Sequence, residues 1–143
     1  MEKKKITESR QLYKRAEFAP PHDARIKLYT KALALDNKFV DALRKRGDLF
    51  YEMRMYDESS LDYRAASRLE PKNPVIFNEL GVVLRMSKQH ADAVKAFNKA
   101  LTLDPEYYEA YSNRGLAWDN LGKFKKAIAD YKMAVRLRQS STS

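Results

Sequence analysis

Phe77-Asn78-Glu79-Leu80-Gly81-Val82-Val83-Leu84 sets Phe77, Leu80, Gly81 and Leu84 at i, i+3, i+4 and i+7. That is the apolar stripe of an amphipathic helix. Ala93, Phe97 and Ala100 repeat the spacing for a second helix, which Asp104-Pro105 stops. The same pattern returns every 34 residues without an insertion, in the blocks 6–39, 40–73, 74–107 and 108–141. Position 8 of the frame reads Tyr13, Gly47, Gly81, Gly115, and position 24 reads Tyr29, Tyr63, Phe97, Tyr131. Position 27 reads Ala32, Ala66, Ala100, Ala134, and position 30 reads Leu35, Leu69, Leu103, Leu137. Position 32 reads Asn37, Pro71, Pro105, Gln139.

Glycine inside a helix costs roughly 1 kcal/mol relative to alanine. Its return at position 8 implies that a side chain there would hold two helices apart, and Ala at position 27 carries the same message. Each block therefore reads as a helical hairpin that cannot bury its apolar face alone. Stacked hairpins make one continuous core.

The third block, with Phe77, Leu80-Gly81, Leu84, Ala93, Phe97 and Pro105, resembles the tetratricopeptide repeat. The fourth is similar through Tyr111, Gly115, Trp118, Ala127 and Tyr131, with Gln139 in place of Pro. The second keeps Leu43, Gly47, Phe50, Tyr63 and Pro71 but has Arg46 for Leu and Ser59 for Ala. The first departs most, with Tyr13 for Gly and Arg25 for Ala. The resemblance implies an all-α, right-handed solenoid of four antiparallel hairpins. It would form a single domain over residues 1–143, with a degenerate first repeat and no C-terminal capping helix.

Composition narrows the function. Among 143 residues there is no cysteine, which removes disulfides, thiolate metal sites and cysteine nucleophiles. Four glycines and no GxGxxG or GxxxxGK argue against a phosphate-cradling loop. No apolar run is long enough to span a bilayer. The basic start Met1-Glu2-Lys3-Lys4-Lys5 leads into polar residues rather than a secretory h-region. A cytoplasmic protein that inserts in no membrane is expected. Net charge is +9, but residues 40–107 are balanced and the excess lies at the two ends. No continuous basic stripe results, so nucleic acid is disfavoured as partner.

No catalytic constellation, metal site or cofactor site is found, and an enzyme is not expected. His22 and His90 share position 17 and read as turn residues with a packing role. The serines lack a GxSxG or SxxK context, and Ser140-Ser141-Thr142-Ser143 reads as a frayed tail. Carboxylates read as solubilising partners of nearby Lys and Arg. Phe50, Leu84 and Trp118 at position 11 read as core, and Phe124 as packed in a turn between solvated lysines.

In tetratricopeptide proteins the first helix of each hairpin lines a concave groove through positions 2, 5, 6, 9, 12 and 13. Those positions here include Arg10, Lys14, Arg44 and Lys45, a cationic half, and Asn78, Val82, Asn113 and Leu116, an amide half with small apolar spots. The cations would receive carboxylates, and each Asn could bond a peptide amide. The resemblance thus implies a protein-protein interaction scaffold whose groove binds a peptide segment, acidic by its charge. The carboxylate clamp of co-chaperone repeats is not matched, since Glu79 would repel a carboxylate in either frame. RNA or DNA binding by a basic helical array and a self-assembling structural role are the rival readings. The last helix, expected over about 124–137, carries Ile128, Tyr131, Val135 and Leu137 in columns that a following repeat would cover. A homodimer through that end, or a missing partner helix, is expected.

Overall fold

The computed structural model describes residues 1–19 and 21–142. Among them are eight helices: α1 Glu2–Phe18, α2 His22–Leu35, α3 Val40–Glu52, α4 Tyr56–Leu69, α5 Pro74–Met86, α6 His90–Leu103, α7 Tyr108–Asn120 and α8 Phe124–Ser141. Each odd helix packs on the even helix after it, which makes four hairpins and an all-α helical-repeat fold of the solenoid class. The chain divides into two compact units, Met1–Glu70 and Pro71–Ser143. In the first, α2 also packs on α3; in the second, α6 packs on α7.

The repeat columns have a packing cause. Ala32, Ala66 and Ala100 are wholly buried, and Ala134 is nearly so. A Cβ on Gly115 would stand 2.5 Å from the Tyr131 ring, and one on Gly81 would overlap the ring of Phe97. The aromatic at position 24 therefore fills the space that the glycine leaves. In the first hairpin Tyr13 takes the glycine's column. Its ring lies beside Tyr29 (centroids 5.5 Å apart) and Phe39 (4.9 Å) instead.

Helix ends recur as well. Position 15 has positive φ in Arg54 (61°), Lys88 (65°) and Gly122 (73°). The next N–H then donates back to position 11, from Met55 to Phe50, Gln89 to Leu84 and Lys123 to Trp118, each at 2.8 Å. These are Schellman-type stops, which satisfy carbonyls that the helix end would otherwise orphan. Ser59, in place of Ala, is buried but donates to the Gly47 carbonyl at 2.7 Å. Ser9 does the same to the Ala32 carbonyl at 2.8 Å.

Several expectations are corrected. The carboxylates are not all solubilising: Asp62 and Asp130 are buried and held by Arg46 and Arg114, sixteen residues away. Burial pushes the Asp62 carboxyl up, against the lowering effect of Arg46. Ser140 and Ser141 are not frayed, because α8 runs to Ser141; Ser143 lies outside the described residues. Phe124 is 63% exposed rather than packed in a turn, since it opens α8 on a face that no other described element covers. His22 is exposed and bonded to Glu52 at 2.8 Å, a surface contact rather than a packing one.

Candidate functional site

In the first unit, α1 and α3 present the cations expected of the inner face. Arg10 is already engaged: it pairs with Asp36 at 3.7 Å and lies 4.8 Å over the Phe39 ring. Arg44 is half-buried and also makes contacts of its own. Lys14 and Lys45 are exposed and have no ion pair among the described residues. Lys45 lines an open cleft of about 300 Å³ with Glu17 of α1, Arg25 and Tyr29 of α2, and Asp48, Leu49 and Glu52 of α3. Arg25 Nε donates to the Ala19 carbonyl at 2.6 Å, Asp48 accepts from the Tyr63 hydroxyl, and Glu52 holds His22. The cleft is thus a mixed polar surface in which Lys45 is the uncommitted cation. Glu17 and Glu52 belong to this surface although only the cations drew notice from the sequence. Positions 12 and 13 of the frame would have found them.

In the second unit, the two amides expected on the inner face are brought together, but on each other. Asn113 Nδ2 donates to Asn78 Oδ1 at 3.0 Å, and Asn78 Nδ2 donates to the Tyr107 hydroxyl oxygen at 3.2 Å. This chain couples α5, the residue before α7, and α7. Burial pushes the Tyr107 phenol up, so it remains protonated and keeps an O–H to donate. Asn78 is therefore a linking residue with its amide spoken for, while the Asn113 oxygen stands at the end of the chain. The sequence marks Tyr107 and Tyr108 only as junction residues open to partial exposure, and position 34 lies outside the helix stripe, so the bond to Asn78 is not legible there. Val82 is half-buried and Leu116 is 40% exposed.

The expected C-terminal face is only partly open. Ile128 and Val135 are 52% and 55% exposed. Tyr131 and Leu137 are half-buried, and the Tyr131 hydroxyl donates to Asp119 at 2.6 Å. Among the described residues no group of His, Cys, Asp or Glu is placed to hold a metal ion. No described helix is long and apolar enough to cross a membrane.

Paired helices, with a glycine-aromatic contact in the second, third and fourth hairpins and adjacent tyrosine rings in the first, define a helical-repeat protein. The tetratricopeptide repeat pattern matches residues 44–108 and again 108–141. The chain belongs to the tetratricopeptide repeat family. It is 35% identical over 81 residues to the peroxisomal targeting signal receptor of Candida albicans and 33% over 89 residues to that of Saccharomyces cerevisiae. The matches take in 57% and 62% of this chain but 14% of either receptor. Among solved structures, MamA superposes with a TM-score of 0.87 at 20% identity, over 94% of this chain and 80% of that one. MamA of Desulfovibrio magneticus RS-1 gives 0.81 at 17% identity, over 100% of this chain and 78% of that one. The first such domain of Spaghetti (RPAP3), bound to the HSP90 peptide SRMEEVD, gives 0.67 at 29% identity, over 71% and 81%.

Proposed function

We propose that this protein is a non-catalytic interaction scaffold whose inner helix faces hold a peptide segment of a partner protein, with acidic groups preferred. The observation that carries the reading is the pair Lys14 and Lys45, exposed on α1 and α3 and in no ion pair among the described residues, although Glu17, Asp48 and Glu52 line the Lys45 cleft. In the second unit Asn113 and Leu116 offer an amide and an apolar contact to the same kind of ligand. The likeness to targeting-signal receptors and to a peptide-bound domain supports a peptide as ligand. It does so for the class of partner rather than its identity.

Binding energy in such a face resides in a few residues, so the test is local. An acidic peptide panel, with SRMEEVD among its members, is titrated against the chain alongside the same peptides with Glu and Asp replaced by Gln and Asn. The acidic forms bind more tightly, and Lys14→Glu with Lys45→Glu abolishes the preference while the melting temperature holds. Equal binding of both forms, or an unchanged preference in the charge-reversed variant, overturns the reading. Steeply salt-sensitive binding of single-stranded RNA with no peptide affinity would favour a nucleic-acid role instead.

A further inference from the structure

In the second unit α7 lies on α6, and Val94, Phe97 and Leu101 are only 5%, 0% and 7% exposed. Ala100 and Leu101 there meet Tyr107, Ala110 and Tyr111 in one apolar cluster. One repeat later, the corresponding residues of α8 are Ile128, Tyr131 and Val135. Phe124, a turn ahead, extends them into a stripe at i, i+4, i+7 and i+11, which falls on one side of a helix. Ile128, Val135 and Phe124 are all more than half exposed. Tyr108 and Ser112 of α7 join Tyr131, Ala134 and Val135 around an open cleft of about 330 Å³ at this place. The face that α6 gives to α7 is left mostly uncovered on α8 among the described residues.

Charge decides what would sit there. Arg114 of α7 reaches Asn98 Oδ1 on α6 at 2.9 Å, and Arg46 of α3 reaches Thr30 Oγ1 on α2 at 3.2 Å. In both, a guanidinium meets a neutral acceptor one helix back. The corresponding residue of α8 is Lys132, which is exposed. A helix with arginine at that place would meet a like charge, whereas a carboxylate would be paired. Lys125 and Arg136 follow the same flank of α8, and Arg138 and Glu109 line the cleft. The single carboxylate of α8, Asp130, is held by Arg114. Two copies meeting through α8 would press cationic flanks together, which disfavours a second copy as occupant.

We propose that the outer face of α8 seats an acidic amphipathic helix of a partner protein, with a carboxylate where α7 carries Arg114. The cleft shares Asn113 with the peptide reading but takes in neither Lys14 nor Lys45, so the Lys132 variant and the Lys14 and Lys45 variants test the two readings separately. The probe is a helix-stapled peptide of residues 104–121, made once unaltered and once with Arg114→Glu, titrated against the full chain by fluorescence anisotropy at low salt. The Glu peptide binds more tightly by roughly three- to fivefold, the worth of one exposed ion pair. Lys132→Glu in the protein reverses that order, and Ile128→Glu with Val135→Glu removes binding of both peptides without lowering the melting temperature. The inference is overturned if neither peptide binds, or if their order ignores Lys132. It is also overturned if the chain sediments as a dimer that the two Glu substitutions dissolve, because the face then belongs to a second copy.

Discussion

Arg46 grips Asp62 through two parallel hydrogen bonds, Nε to Oδ2 at 2.8 Å and Nη2 to Oδ1 at 2.6 Å. Arg114 and Asp130 reproduce both bonds at the same distances two repeats later. In the third repeat the same two positions hold Leu80 and Ala96, both buried. One frame thus accepts either an ion pair or an apolar pair, and that equivalence is testable. Asp62→Ala leaves a mostly buried guanidinium without its partner and costs about 3 kcal/mol. Arg46→Leu combined with Asp62→Ala recovers most of that loss in urea unfolding.

The pH profile follows from the raised Asp62 carboxyl. A group whose pKa is higher folded than unfolded adds stability below its unfolded value and loses it as pH rises through the folded one. Asp62 therefore contributes most in acid, and its contribution declines above the usual carboxylate range. Asp62→Asn flattens that part of the stability-pH curve, as measured by urea midpoints from pH 3 to 7.

Tyrosine titration reads the packing from the alkaline side. Burial pushes the phenols of Tyr13 and Tyr131 up to about 12, with Glu17 adding to the first and Asp119 to the second. Both stay neutral in the folded chain while an unfolded tyrosine ionises near 10. Their stabilising effect is intact below pH 10 and is lost as pH rises toward 12. Absorbance at 295 nm shows late-ionising tyrosines that Tyr13→Phe and Tyr131→Phe each reduce by one.

Two glycines in one column separate by neighbour distance. A methyl on Gly81 would invade the fully buried Phe97, so Gly81→Ala costs roughly 1–2 kcal/mol after its gain in helix propensity. A methyl on Gly47 would stand 3.1 Å from the Tyr63 ring edge, so Gly47→Ala comes out near neutral, and thermal melts of the two variants check the difference.

Lys88 occupies a left-handed conformation that a Cβ disfavours, where the fourth repeat uses Gly122. Lys88→Gly raises stability by about 0.5–1 kcal/mol, and Gly122→Ala lowers it by about as much. Chemical denaturation at fixed pH checks both.

The sequence by itself determined the hairpins. Columns such as Gly47, Gly81, Gly115 and Ala32, Ala66, Ala100 recur because the close approach of two helices excludes larger side chains, and that exclusion is local enough to survive as a period. Through the resemblance to the tetratricopeptide repeat it also implied Arg10, Lys14, Arg44 and Lys45 as groove cations, since that family lines its groove with the first helix of each hairpin. Only the tertiary structure decided which of them remain available. Arg10 found Asp36 and Phe39 on neighbouring elements, and Asn78 spent its amide on Tyr107 and Asn113. Asp62 and Asp130, expected as solubilising surface charge, are buried partners of Arg46, a departure from the repeat, and of Arg114. Pairing across sixteen residues depends on where two helices cross, and a linear pattern of charges does not carry that distance.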